Sequence, residues 1–152
     1  MTAIVEQPAM REKLAGLERA IVECLPQVEL RVVHHFSKGL YARELHIPAG
    51  TVLTGHIHKT QNLNVMSKGD MTVLTEAGPV RVQAPFTIVS PPGTKRAAYA
   101  HTDTVWTTIH PTELTDVDEI EKAFIVKTFD EYQLFVEKNL SIERSEPCPG
   151  EQ

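Results

Sequence analysis

The sequence predicts an all-β sandwich or barrel with a helical segment at either end. Two observations carry this expectation. Between Gln27 and Thr112, short runs rich in β-branched residues recur at roughly 8–12-residue intervals, punctuated by Gly and Pro. Several of these runs alternate along their length, which gives each strand an inner and an outer face. On either side of that region the apolar spacing becomes helical, and four segments follow: a helical extension over 1–26, a barrel over 27–112, a helical segment over 113–140 and a loose tail over 141–152.

The first helix is expected over 8–25. Met10, Leu14, Leu17, Ile21 and Leu25 recur at helical spacing, Pro8 suits a first turn and Pro26 ends the run. A strand is expected over 27–36, where adjacent His34 and His35 must face opposite ways. After the turn at Ser37-Lys38-Gly39, the next strand puts Ala42, Glu44 and His46 on one face and Tyr41, Arg43, Leu45 and Ile47 on the other. DMTVLTEAG and VRVQAP read as a hairpin turning at 76–79, and FTIVS as a short strand ending in the Pro91-Pro92-Gly93 turn. RAAYAH and VWTTIH complete the sheets. Asp116 and its neighbours offer helix-capping groups ahead of IEKAFIV, a second short helix is expected at DEYQLFVEKN, and its Tyr132, Phe135 and Val136 are expected to dock on the barrel or on a second subunit.

Composition narrows the function classes. The chain has 152 residues, 41% hydrophobic and 23% charged, which is ordinary for a globular domain with one core. A formal net charge of −5 without clustered Lys and Arg argues against nucleic acid as a partner. No apolar run approaches the roughly 18 residues of a membrane span. The N-terminus lacks the basic start and apolar block of a signal peptide, and Cys24 and Cys148 form no close pair. A reducing, cytoplasmic location is expected.

The most informative stretch runs from Gly50 to Gly69. In an extended chain His56 and His58 share a face, about 7 Å apart at the backbone, which is close enough to meet one ion. The spacing is Gly50, five residues, His56-Ile57-His58, three residues, Asn62, six residues, Gly69. A second pattern reads Pro85, five residues, Pro91-Pro92-Gly93, two residues, Arg96, three residues, Ala100. Together they resemble the two sequence motifs of the cupin superfamily, over about residues 40–112. In those motifs Asn62 stands where a Glu is usual, Arg96 where a third metal-binding His is usual, and Ala100 where an Asn is usual. Val105 to Thr112 is also similar to short cupin-domain proteins of bacteria and their phages. The resemblance implies a double-stranded β-helix, that is, a jelly-roll barrel, with flanking N- and C-terminal helices.

It also implies a divalent transition-metal site, for Ni, Zn, Fe or Mn. The candidate ligands are His56 and His58, with Asn62 as a neutral oxygen donor and His101 or His110 as a third nitrogen. Losing the Glu carboxylate and adding a guanidinium both oppose a dication. Arg96 therefore supports a second reading, in which the fork binds a small carboxylate or phosphate beside two imidazoles. Arg96 could equally point outward beside Lys95. Tyr99 and Trp106 are candidate pocket aromatics, with core packing as the alternative. The two function readings are a metal-dependent cupin acting on or binding a small polar or anionic molecule, and a metal-free cupin serving as a binding or interaction module. A homodimer is expected from the apolar surface of the terminal helices.

Overall fold

The computed structural model describes residues 8–75 and 78–145. Helix α1 (Pro8–Cys24) leads into strands β1 (Arg31–Ser37), β2 (Leu40–Ile47), β3 (Val52–Thr54) and β4 (Ile57–His58). Then come β5 (Asn62–Lys68), β6 (Asp70–Thr75), β7 (Gly78–Gln83), β8 (Phe86–Ser90), β9 (Ala97–Ala100) and β10 (Thr104–Pro111). Helix α2 (Val117–Phe124), strand β11 (Ile125–Val126) and helix α3 (Phe129–Ser145) close the chain. Among the described residues no helix is long and apolar enough to cross a membrane.

Strands β4 and β11 pair apart as a two-stranded ribbon, and the other strands form two antiparallel sheets, ordered β1-β2-β10-β5-β8 and β3-β9-β6-β7. With β1 set aside, each sheet holds four strands that interleave in sequence, which is the strand order of a jelly roll. Ile47, Met66, Met71, Val73 and Ala100 pack between the sheets as the core, with Trp106, Leu45 and Leu53 against them. Inward and outward residues alternate as expected: Asn62, Asn64 and Met66 of β5 are buried while Leu63 is exposed.

Two glycines are required by their surroundings. Gly69 has φ of 110°, and a Cβ there would lie 2.7 Å from the Thr104 Cα, so the β5–β6 turn tolerates no side chain. Gly93 has φ of 79°, and a Cβ would meet the Tyr132 ring at 2.6 Å. Its bare backbone lets α3 seat Tyr132 against the barrel, the docking expected for that residue.

Three boundaries differ from expectation. The first strand begins at Arg31 rather than Gln27, because its ladder with β2 stops where β2 runs into Pro48, which has no N–H to donate. Ile125 and Val126 leave the helix and pair with His58 and Ile57, a case of β-branched residues following a tertiary ladder over local propensity. Helix α3 runs on to Ser145, past the expected end at Leu140, since 141–145 contain no breaker and Ser141 Oγ donates to Glu137 O. The rest of the expected loose tail, 146–152, and the hairpin residues Glu76 and Ala77 lie outside the described residues.

Helix α1 is held against the barrel by the buried Leu14 and by a polar clamp. Lys95 Nζ and Thr54 Oγ1 both donate to Glu18 Oε1, at 2.6 and 2.8 Å. The Lys95 side chain is 7% exposed and that of Glu18 41%, so the ammonium is sheltered while the carboxylate stays open to water.

Candidate functional site

Between the two sheets lies a cavity of about 370 Å³, closed on one side by α2 and β11. His58 reaches it from β4, His56 from the loop before β4, and Arg96 from the loop before β9. Their shared orientation follows from parity. Ile57, between the two histidines, is 1% exposed and faces away from them. Arg43 and Tyr41 enter from β2, on the face that the alternation of that strand assigned to Leu45 and Ile47. Among the polar groups, Leu45, Met71, Val73 and Trp106 give the cavity apolar lining.

The polar wall is organised by Asn64, which is 4% exposed. Its Nδ2 donates to Asn62 Oδ1 and to Ser90 Oγ, both at 2.8 Å. Its Oδ1 accepts from Trp106 Nε1 at 3.1 Å and from Thr108 Oγ1 at 2.8 Å. Both amide hydrogens and both lone pairs are thereby used. Arg96 Nη1 donates to the same Ser90 Oγ at 2.6 Å, so the guanidinium faces the interior and is oriented from below.

His58 and His110 form a second unit. His58 Nδ1 lies 3.1 Å from His110 Nε2, with ring centroids 5.0 Å apart and planes inclined by 19°. His110 stacks on Phe124 at 4.5 Å on its other side. Desolvation pushes the His58 pKa down to about 3, helped by His110, His56, Arg43 and Arg96. Desolvation also lowers His110, and it lowers His56 with Arg43 contributing. All three rings are therefore neutral near neutral pH, and the fixed charges on the cavity wall are Arg43, Arg96 and Glu121.

The structure brings together His56, His58, Asn62, Arg96, Trp106 and His110 from the expected set. It separates His101 and Tyr99 from them. In β9, Ala98 faces the cavity, so Tyr99 falls on the outer face, 41% exposed, and His101 stands beside it at a T-shaped 4.9 Å. His101 Nε2 is bonded to Thr72 Oγ1 at 2.6 Å, away from the imidazoles of the cavity. Glu44 and His46 also lie outside, where Glu44 bridges His46 at 2.6 Å and His35 at 3.3 Å.

The residues present do not fit a divalent ion. Asn62 offers only a neutral oxygen that already accepts from Asn64, and His58, with Nδ1 turned to His110, keeps only Nε2 for an ion. Arg96 and Arg43 line the same cavity, and their positive charge opposes a dication. Among the described residues no group of three or more His, Cys, Asp or Glu side chains is arranged to hold a metal.

Arg43, Asn64, Ser90, Thr108 and Glu121 were not singled out by the sequence. Arg43 did carry a signal, as a charged residue on the Leu45–Ile47 face, and Asn64 shares parity with His58 and Asn62. Glu121 had none, since α2 approaches the cavity only in the folded chain.

No protein-family model matches the sequence, and no curated protein matches it significantly. Solved structures do resemble the fold. A cupin domain from Bordetella pertussis Tohama I is 16% identical, with 58% of this chain and 98% of that one covered at a TM-score of 0.45. A cupin superfamily protein from Desulfitobacterium hafniense DCB-2 is 8% identical over 62% and 87%, at 0.47. The DMSP lyase DddQ from Ruegeria pomeroyi DSS-3 is 18% identical over 58% and 49%, also at 0.47. The deciding feature is the order of the strands, β2-β10-β5-β8 facing β3-β9-β6-β7, with the His56–His58 segment on its inner wall. The barrel has the cupin fold. Within this cupin barrel the interior cavity is where small molecules have room to bind, and two guanidiniums stand in its wall.

Proposed function

We propose that this cupin binds a small organic anion, a carboxylate or phosphate with an apolar body, in the barrel cavity without a metal. The observation that carries the reading is that Arg43 and Arg96 line one interior cavity whose imidazoles are held neutral. Among the described residues Arg43 enters no ion pair, so its charge is available to a ligand. Arg96, braced on Ser90 Oγ, supplies a planar fork in a fixed orientation. The wall of Leu45, Met71, Val73 and Trp106 suits the body of the ligand. The role is that of a binding module rather than of an enzyme with a named reaction.

Titration calorimetry against a panel of small carboxylates and phosphates tests this. Arg43→Gln and Arg96→Gln are each expected to weaken the best binder by about 10–100-fold, the value of a charge-assisted contact. A panel with no binder, or a binder indifferent to both variants, would remove the reading. Elemental analysis of protein purified without added ions supplies the other arm. Stoichiometric Ni, Zn, Fe or Mn that disappears in a His56→Ala/His58→Ala variant would restore the metal-dependent alternative.

Assembly is a separate expectation. Val22, Leu25 and Val28, at 68%, 47% and 59% exposure, flank a groove of about 820 Å³ between α1 and β3. Covering that surface in a two-fold pair would make the protein a homodimer. Sedimentation velocity at tens of micromolar protein should show twice the chain mass, and a 17.0 kDa species would exclude the dimer. A reducing, cytoplasmic setting agrees with Cys24, which is an exposed free thiol.

A further inference from the structure

We infer that His110 locks His58 as its Nε2–H tautomer, so that His58 gives the cavity a third N–H donor beside Arg43 and Arg96, and the ligand atom met there is an anionic oxygen. The ligand half of this statement rests on the anion reading above; the tautomer half stands on the geometry of the pair. His58 Nδ1 and His110 Nε2 are 3.1 Å apart and share one proton, because two lone pairs or two N–H groups facing each other at that distance repel. A neutral imidazole carries a single proton, so only two arrangements remain.

In the first, His110 donates from Nε2, its Nδ1 is a bare lone pair, and His58 carries its proton at Nε2, the nitrogen left for the cavity. In the second, His58 donates from Nδ1, and His110 must hold its own proton at Nδ1. That atom is buried and has no hydrogen-bond partner. The second arrangement therefore seals an N–H away from every acceptor, which is the rarer kind of orphan in folded proteins. His110 is 3% exposed and packed between His58 and Phe124, so its Nδ1 is out of reach of solvent. The tautomer of His58 follows from that sealing, and His110 is a positioning residue.

The consequence concerns what the cavity selects. An N–H at His58 Nε2 lines the same cavity as two guanidiniums, so an oxyanion seated there is offered donors of one sign from three side chains. A cation meets no lone pair at His58 Nε2 and two guanidiniums in the lining against the single carboxylate of Glu121, so the cavity favours an anion by charge.

Long-range proton–nitrogen correlation spectra of the full chain near neutral pH report the tautomer of each ring directly. His58 and His110 are both expected to be protonated at Nε2, and a His58 protonated at Nδ1 would overturn the lock. His110→Phe keeps a ring between His58 and Phe124 but removes the shared bond, so His58 should then sample both tautomers. In the same variant, affinity for butyrate should fall by about tenfold, one charge-assisted contact being weakened. An unchanged His58 spectrum in His110→Phe would make His110 a packing residue only. Should that variant fail to fold, His110→Gln retains a donor, and its His58 is expected to remain protonated at Nε2, with a mixture of tautomers counting against the lock. Parent protein that binds no butyrate overturns the ligand half, while the spectra of the ligand-free protein decide the lock by themselves.

Discussion

Asn64→Leu should destabilise the protein by about 3–5 kcal/mol, the largest loss expected of any single change in the cavity wall. Leucine has the branched shape of asparagine and is larger, so the loss comes from hydrogen bonds rather than from a hole. Four bonds disappear together, leaving the half-buried Trp106 indole N–H and the Asn62 amide oxygen, at 5% exposure, without their partner. Removing one member of a satisfied buried network leaves the others paying their full desolvation. The loss should extend to binding, because Ser90 Oγ, which orients the Arg96 guanidinium, is then no longer held in place by Asn64. Urea denaturation of the variant measures the first effect. A change below about 1 kcal/mol would mean that water replaces the amide and that the network is less closed than its distances indicate.

Stability should fall as the solution is acidified below about pH 6.5, well before the carboxylates titrate. His58 is held at about 3 in the folded chain against 6.5 for an ordinary imidazole, and His110 is lowered as well. Since the folded pKa lies below the unfolded one, the unfolded chain binds more protons between those values, and stability rises with pH across the window. The contribution is fully present above 6.5 and is lost progressively as pH falls toward 3. Each such ring contributes a slope of up to about 1.4 kcal/mol per pH unit. Glu18 and Glu44, whose carboxyls are lowered from 4.5, add their own losses only below that value, so the interval from 6.5 to 4.5 isolates the histidines. Urea midpoints taken through that interval test the point. A midpoint that does not move would show that His58 and His110 reach water in the folded state, and a His58→Gln variant should flatten the slope.

Much of this barrel was legible in the chain. Parity alone put His56 and His58 on one face, and Tyr41, Arg43, Leu45 and Ile47 on another, because side chains alternate in any extended strand whatever surrounds it. Gly69 was marked by its spacing, and its φ of 110° against the Thr104 backbone supplies the cause. The helix cap at Asp116 was readable too, its carboxylate accepting from the Glu119 N–H within one turn. Such features depend on neighbours a few residues away, and the sequence lists those neighbours in order.

The site itself was decided at longer range. His101 looked as eligible as His110 for a place beside His58, and Tyr99 as eligible as Trp106. What separated them was the register of β9 and β10 against their partners, which turned Tyr99 and His101 outward and brought His110 within 3.1 Å of His58. Strand β11 was equally hidden: Ile125 and Val126 continue a helical pattern until Ile57 and His58 offer them a ladder. The sequence by itself determined the alternation, the turns and the caps, because these are local steric and hydrogen-bonding facts. Only the tertiary structure decided which polar groups share the cavity, since desolvation and proton sharing arise when residues 52 positions apart, such as His58 and His110, are packed against each other out of water.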